Sequence, residues 1–144
     1  MGGLVLHHKQ NLHIHTTYCD GKDQPDAIIL EAIKKGFDSI GFSEHSYMSF
    51  SSYPNQMTIP KSEEYKAEIR TLKAKYKGII DVFCGLELEF FSDVPTDGFD
   101  YLIGSCHYLK IRDEIVGIDR DARTVAGVIN KYFQGNGIAY ARAY

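Results

Sequence analysis

Short apolar or alternating runs give way along this chain to segments of helical period, with turn residues at most of the breaks, a pattern that predicts βα units. "NLHIH" (11–15) alternates Leu12 and Ile14 with His13 and His15, so a strand there puts both histidines on one side and both aliphatic residues on the other. "DQPDAIILEAIKKG" (23–36) reads as a helix with Pro25 at its first position, a stop at Gly36, and Ile28, Ile29, Ala32 and Ile33 on one face. "FDSIGFSEH" predicts a second strand ending on Ser43, Glu44 and His45, followed by a long polar and aromatic loop, "SYMSFSSYPNQMTIP". A second helix is expected from about Ser62 to Lys77, with Tyr65, Ile69, Leu72 and Tyr76 as its core stripe and Gly78 as its stop.

"IIDVFCGLELEF" predicts a third strand, with Leu86 and Leu88 on one face and Glu87 and Glu89 on the other. "FDYLIGSCH" predicts a fourth, ending at His107. "LKIRDEIVGID" suits a small hairpin, and "TVAGVINKYFQG" a helix burying Val125, Val128, Ile129 and Tyr132. The last residues, "GIAYARAY", read as the opening turns of a further helix. Four strand–helix units are too few to close a parallel barrel, which needs about eight strands and about 250 residues. A truncated chain is therefore expected, with edge strands exposed at 37–42 or 101–106 and self-association of the half barrel as the consequence. Residues 1–9 form a lead-in, in which His7 and His8 read as surface residues; the domain proper is 10–144.

Composition narrows the function classes. The chain has 144 residues with 16 basic and 19 acidic side chains, a net charge of −3, and no basic clustering. Nucleic acid and anionic membrane surfaces are not expected partners. Cys19, Cys84 and Cys106 lack C-x-x-C spacing, no signal peptide is evident and no apolar run suits a membrane span. The expectation is a cytoplasmic protein with reduced thiols, none of them a ligand or nucleophile. No nucleophile elbow, Walker loop, G-x-G-x-x-G or H-E-x-x-H occurs.

The candidate chemistry lies at strand ends. Four of the six histidines, His13, His15, His45 and His107, fall at or near the C-terminal end of a predicted strand, as does Glu87. In parallel α/β folds that edge gathers active-site groups. Imidazole with carboxylate suits zinc, manganese or iron. Taken singly, H-x-H on a strand, His45 or His107 fits a structural histidine equally well, and Glu87 fits a salt bridge. Its apolar flanks "GLELEF" nevertheless call for a cation beside it. Asp20, in "CDG", is balanced between metal ligand and turn former.

Together, "HIHTTYCDG", "GFSEH", "GLELEF" and "GSCHYL" resemble the motifs of the polymerase-and-histidinol-phosphatase (PHP) family, and most closely its histidinol-phosphatase branch, over residues 10–144. The resemblance implies the N-terminal part of a distorted (β/α)7 TIM-like barrel with up to three metal ions at its C-terminal edge. It also implies hydrolysis of a phosphate monoester, L-histidinol phosphate, in histidine biosynthesis. His13 and His15 would ligate the first metal, Glu87 would bridge the first and second, His107 would hold the second and His45 the third. Where this branch often carries a histidine for the third metal, the chain has Gly21, so either Asp20 substitutes or that site is weaker. The family's later ligands lie in a second half that these residues do not include.

The implied cofactors are two or three divalent transition metals (Zn, Mn or Fe), and the implied partner is a small-molecule phosphate ester. Such ions lower the pKa of bound water towards about 7 and neutralise phosphate oxygens. Tyr47, with Phe50 and Tyr53 in the same loop, is a candidate for packing on an imidazole, and Lys110 or Arg142 for pairing with phosphate. Two other readings stay open. One is a phosphoesterase of the same fold acting on a nucleotide, a phosphotyrosine protein or a DNA 3′ end; the other is a non-catalytic, metal-binding fragment.

Overall fold

A computed structural model describes residues 8–50 and 56–144. His7 and Tyr53 lie outside the described residues. The elements, in chain order, are β1 (Gln10–Asn11), α1 (Pro25–Lys34), β2 (Ser39–His45), α2 (Ile59–Lys75), β3 (Asp81–Glu89), β4 (Tyr101–Ser105), β5 (Tyr108–Ile111), β6 (Glu114–Gly117), α3 (Ala122–Phe133) and α4 (Gly137–Ala143). The chain divides into two compact units. Among the described residues, the first comprises 8–50, 56–88 and 92–103, and the second 89–91 and 104–144.

The first unit is built on the sheet β1-β2-β3-β4, with β2 parallel to both β1 and β3. Six of the seven β2 residues are buried, the continuous burial expected of a parallel strand covered on both faces. Of the two edges expected, 101–106 is the one found, since β4 ends the sheet; 37–42 is not an edge, because Gln10 and Asn11 pair with Ser39 and Ile40 on one side of β2 and β3 lies on the other. Of the predicted histidine strand only Gln10–Asn11 joins the regular ladder, although Ser43 N donates to Ile14 O at 2.9 Å and carries the pairing farther.

Helix α1 follows its sequence signals. Pro25 opens it, Ile29 and Ala32 are buried, and Gly36 adopts φ +69° just beyond its end. Helix α2 starts earlier than its apolar stripe suggests, because Pro60 supplies a preset helical φ within the first turn. Tyr65, Ile69, Leu72 and Tyr76 are all buried and form the core with Ile29, Ile40, Phe42, Val82 and Leu86. Tyr65 Oη donates to Phe42 O at 2.9 Å and Gly85 O at 3.0 Å, which satisfies its hydroxyl at zero exposure.

Two glycines set how closely Tyr101 approaches the sheet. A Cβ at Gly85 would fall 2.2 Å from Tyr101 Cζ, and one at Gly41 would fall 2.5 Å from its hydroxyl oxygen. The ring fills that space, and its hydroxyl donates to Leu12 O at 2.5 Å and Phe42 O at 3.0 Å. The backbone just before His13 is thereby fixed to the middle of the sheet.

The second unit holds the β5–β6 hairpin, whose register runs from Tyr108 opposite Gly117 to Ile111 opposite Glu114, with Arg112 at φ +57° in the turn. It also holds α3, capped by Asp121 accepting from Thr124 N at 2.7 Å, and α4, capped by Asn136. Among the described residues no helix is long and apolar enough to cross a membrane.

Candidate metal centre

In the first unit the imidazoles of three histidines converge on one carboxylate oxygen. Glu87 Oε2 lies 3.5 Å from His13 Nε2, 3.1 Å from His15 Nε2 and 2.9 Å from His45 Nδ1. Each side chain arrives from a different direction for a local reason. The parallel register places His45 directly opposite Glu87 on neighbouring strands. The two-residue spacing of His13 and His15 sends both rings towards the same carboxylate, their centroids 5.3 Å apart. His15 and His45 meet edge to face at 4.3 Å.

Asp20 joins this cluster from the loop after His15. Its Oδ1 is 2.7 Å from His15 Nδ1 and its Oδ2 is 3.5 Å from His45 Nε2. The loop is closed by Cys19 N and Gly21 N, which both donate to Thr16 O, at 3.1 and 2.9 Å. Position 21 has no room for a side chain, since a Cβ there would lie 2.3 Å from His15 O. A histidine could not occupy this position without moving the loop, and Asp20 is the polar side chain that the loop directs at His45.

Glu44 supports the loop beside this cluster, a contact that the sequence reading passed over. It is fully buried beside His45, yet its carboxylate faces the loop. It accepts from Thr16 N at 3.0 and 3.1 Å, from Thr16 Oγ1 at 2.6 Å and from Cys19 Sγ at 2.7 Å. Strand alternation was the available signal: an acid next to a candidate ligand on a wholly buried strand needs donors of its own. Burial and the neighbouring Glu44 push the Cys19 thiol well above the usual range, as suits its role as a hydrogen-bond donor to Glu44 in the metal-free chain; its sulfur also lies within 4.8 Å of ligand atoms of His15 and Asp20.

Charge in the cluster is strongly coupled. His15 is raised to about 9, chiefly by Glu87 against the opposing effect of burial, and further by Asp20. For Asp20, burial acts upward, but His15, Cys19 and the charge of His45 outweigh it and hold the carboxyl below its usual range.

The donor set fits a divalent transition metal. Ligand atoms of His13, His15 and Glu87 lie within 4.8 Å of one another. Four donors at about 2.0–2.1 Å around a tetrahedral ion stand about 3.3 Å apart, and the Glu87 separations from His13 and His15 bracket that figure. His15 Nε2 is buried and makes no hydrogen bond in good geometry, although Glu87 is close. An imidazole nitrogen in that position is suited to a cation.

The other expected residues are placed as follows. His107 belongs to the second unit, where its backbone N and Nδ1 meet Glu89 Oε2 at 2.8 and 2.9 Å. Tyr47 is half-buried after β2, with its carbonyl accepting from Ser92 Oγ at 2.8 Å. Lys110 on β5 and Arg142 on α4 are exposed in the second unit.

Comparison with known proteins adds an independent line. The PHP domain model matches residues 11–141. The histidinol-phosphatase of Bacillus subtilis is 31% identical over 140 residues, covering 85% of this chain and 52% of that protein. The histidinol-phosphatase of Lactococcus lactis is 32% identical over 108 residues, covering 69% of this chain and 39% of its own length. The chain thus spans about half the length of the first of these relatives and less of the second. Among solved structures, HisK of Listeria monocytogenes superposes with a TM-score of 0.68 at 19% identity, over 81% of this chain and 52% of that one. The Lactococcus lactis histidinol phosphate phosphatase, solved with zinc, L-histidinol and phosphate, gives 0.58 at 24% identity, over 86% and 54%. These likenesses show the fold, the TIM-like α/β architecture that the four motifs implied.

Proposed function

Because the chain belongs to the PHP domain family, we propose that it carries the N-terminal metal ligands of a metal-dependent phosphate-monoester hydrolase, with L-histidinol phosphate as the substrate. The observation that carries this reading is the convergence of His13, His15 and His45 on Glu87 Oε2. His13, His15, His45 and Glu87 would hold divalent metal, with Asp20 in the place of the branch's third-site histidine. His107 joins the set from its own motif. Zinc is the first candidate, since the Lactococcus lactis structure contains it, and manganese or iron suits the same donors.

When bound, divalent ions supply a nucleophile from water near neutral pH and neutralise the phosphate oxygens. The chain's own residues do the rest. Glu87 and the three imidazoles would hold the cations. Glu44 holds the loop that carries Asp20, through Thr16 and Cys19. Tyr47, Lys110 and Arg142 are the proposed substrate contacts, Tyr47 through stacking and the two cations through phosphate oxygens. The proposal extends to a cytoplasmic setting and to self-association through the edge strand β4, which ends the four-stranded sheet.

The test is phosphate release from L-histidinol phosphate by the zinc- or manganese-loaded chain beside a His13→Ala/His15→Ala variant. Turnover that disappears in the variant is the expected result. Metal bound without turnover on L-histidinol phosphate, a nucleotide or a phosphotyrosine peptide would instead identify a metal-binding module, and absence of metal binding would overturn the reading altogether.

A further inference from the structure

The first unit shows a recurring device. His15 presents Nε2 to Glu87 while its other nitrogen, Nδ1, is held by the Asp20 carboxylate at 2.7 Å. A histidine ligand whose second ring nitrogen is held by a carboxylate has its tautomer and its ring angle fixed, and its basicity raised.

The second unit contains the same arrangement around His107, built from Glu89, which was not among the candidate ligands. Glu89 is the last residue of β3, at 2% exposure. One of its oxygens, Oε2, accepts both from His107 backbone N at 2.8 Å and meets His107 Nδ1 at 2.9 Å. Phe90 N donates to Ser105 O at 2.9 Å, which ties the end of β3 to the segment leading into His107. On the other side of the ring, Nε2 faces Asp119 Oδ2 at 3.6 Å. A buried carboxylate this close to a ring nitrogen requires a proton between them. For a neutral imidazole that proton is on Nδ1, and the lone pair then falls on Nε2.

We propose that Glu89 is the positioning residue for His107, holding the Nδ1–H tautomer so that Nε2 is the atom offered to a divalent cation. The proposal rests on the reading of His107 as a ligand. The Glu89 oxygen that meets His107, Oε2, takes two hydrogen bonds from that one residue, which suits it to orienting the ring. The two-residue spacing from Glu87 has a chemical meaning: one carboxylate of "GLELEF" serves the cation directly and the other acts through an imidazole.

The tautomer can be read without metal or substrate. Histidine-labelled chain in chelator at mildly alkaline pH, examined by long-range proton–nitrogen NMR, should show His107 as the Nδ1–H form. Glu89→Gln keeps an acceptor and should keep that tautomer while weakening zinc binding. Glu89→Ala should release the ring to the Nε2–H form and weaken zinc binding about 10–100-fold. A wild-type Nε2–H form or imidazolium under these conditions overturns the proposal, as does an unchanged tautomer in Glu89→Ala. Should Glu89→Ala not fold, the wild-type spectrum and Glu89→Gln still decide. Unchanged zinc affinity in His107→Ala would overturn the ligand reading on its own, leaving the tautomer result separately legible.

Discussion

His45 and Glu87 stand opposite each other in the parallel register of β2 and β3, with His45 Nδ1 2.9 Å from Glu87 Oε2. Side chains paired in this way point to the same face of the sheet, so two strand ends deliver an imidazole and a carboxylate to one point with no long side chain reaching across. Ser46 N donates to Glu87 O at 3.0 Å immediately beyond, which ties the start of the following loop to the same strand end.

Glu87→Gln is expected to abolish tight metal binding. It removes the charge on which three imidazoles converge while leaving a side chain of nearly the same shape. Affinity for zinc should fall by more than about 100-fold, beyond the range typical for groups that only orient ligands. Isothermal titration of the chelator-treated chain reads this directly; affinity within tenfold of wild type would remove Glu87 from the ligand set.

Glu44→Ala tests the loop rather than the ligands. The truncation leaves Thr16 N, Thr16 Oγ1 and Cys19 Sγ without their common acceptor in a fully buried position. Unpaired buried donors cost about 1–3 kcal/mol each, so a loss of at least about 2 kcal/mol is expected in urea unfolding. The loop should also loosen, seen as faster amide exchange at Thr16, Tyr18 and Gly21. Wild-type stability with unchanged exchange would show that Glu44 does not hold it.

Much of this was legible in the sequence because period and punctuation coincide. The Tyr65, Ile69, Leu72, Tyr76 stripe and the Gly36 and Gly78 stops announce α1 and α2 by patterns that depend only on neighbours along the chain. The hairpin after His107 was readable for the same reason. The site was readable only in its ligand-type residues. His13, His15 and Glu87 share a face by strand alternation, but the contact of Asp20 with His15, the clamp of Glu44 on Thr16 and the grip of Glu89 on His107 depend on pairing between distant segments. Nothing local distinguishes a buried acid that binds a cation from one that accepts hydrogen bonds. The edge expected at 37–42 failed similarly, since a two-residue strand such as Gln10–Asn11 leaves almost no periodic signal.

Gly85→Ala should destabilise the fold and disturb the site together. Its added Cβ would meet the Tyr101 ring well inside van der Waals contact, and the ring cannot retreat without giving up the hydroxyl contacts to Leu12 O and Phe42 O. Overpacking of this kind costs about 1–3 kcal/mol. Tyr101→Phe removes those contacts without the clash, and a smaller loss is expected for it. Equal unfolding midpoints for wild type and Gly85→Ala would mean that the ring has another position available.

The pH dependence of the metal-free chain follows from His15. Its folded-state pKa is raised to about 9 from an ordinary value of 6.5, chiefly by Glu87, so the folded state binds a proton more tightly than the unfolded chain does. The stabilisation is fully present below about pH 6.5 and is lost as pH rises through about 9, on the order of 3 kcal/mol in all. Metal reverses this sign, because a cation and a proton compete for the same imidazole and binding strengthens as the proton leaves. Urea midpoints measured at both ends of that window should therefore fall with pH in chelator and rise with pH in zinc. In His15→Gln the fall in chelator should shrink markedly. A chelator-treated wild type whose midpoint is flat or rising across the window would show that the Glu87 and Asp20 carboxylates do not hold a proton on His15, and that the cluster is stabilised in some other way when no metal is bound.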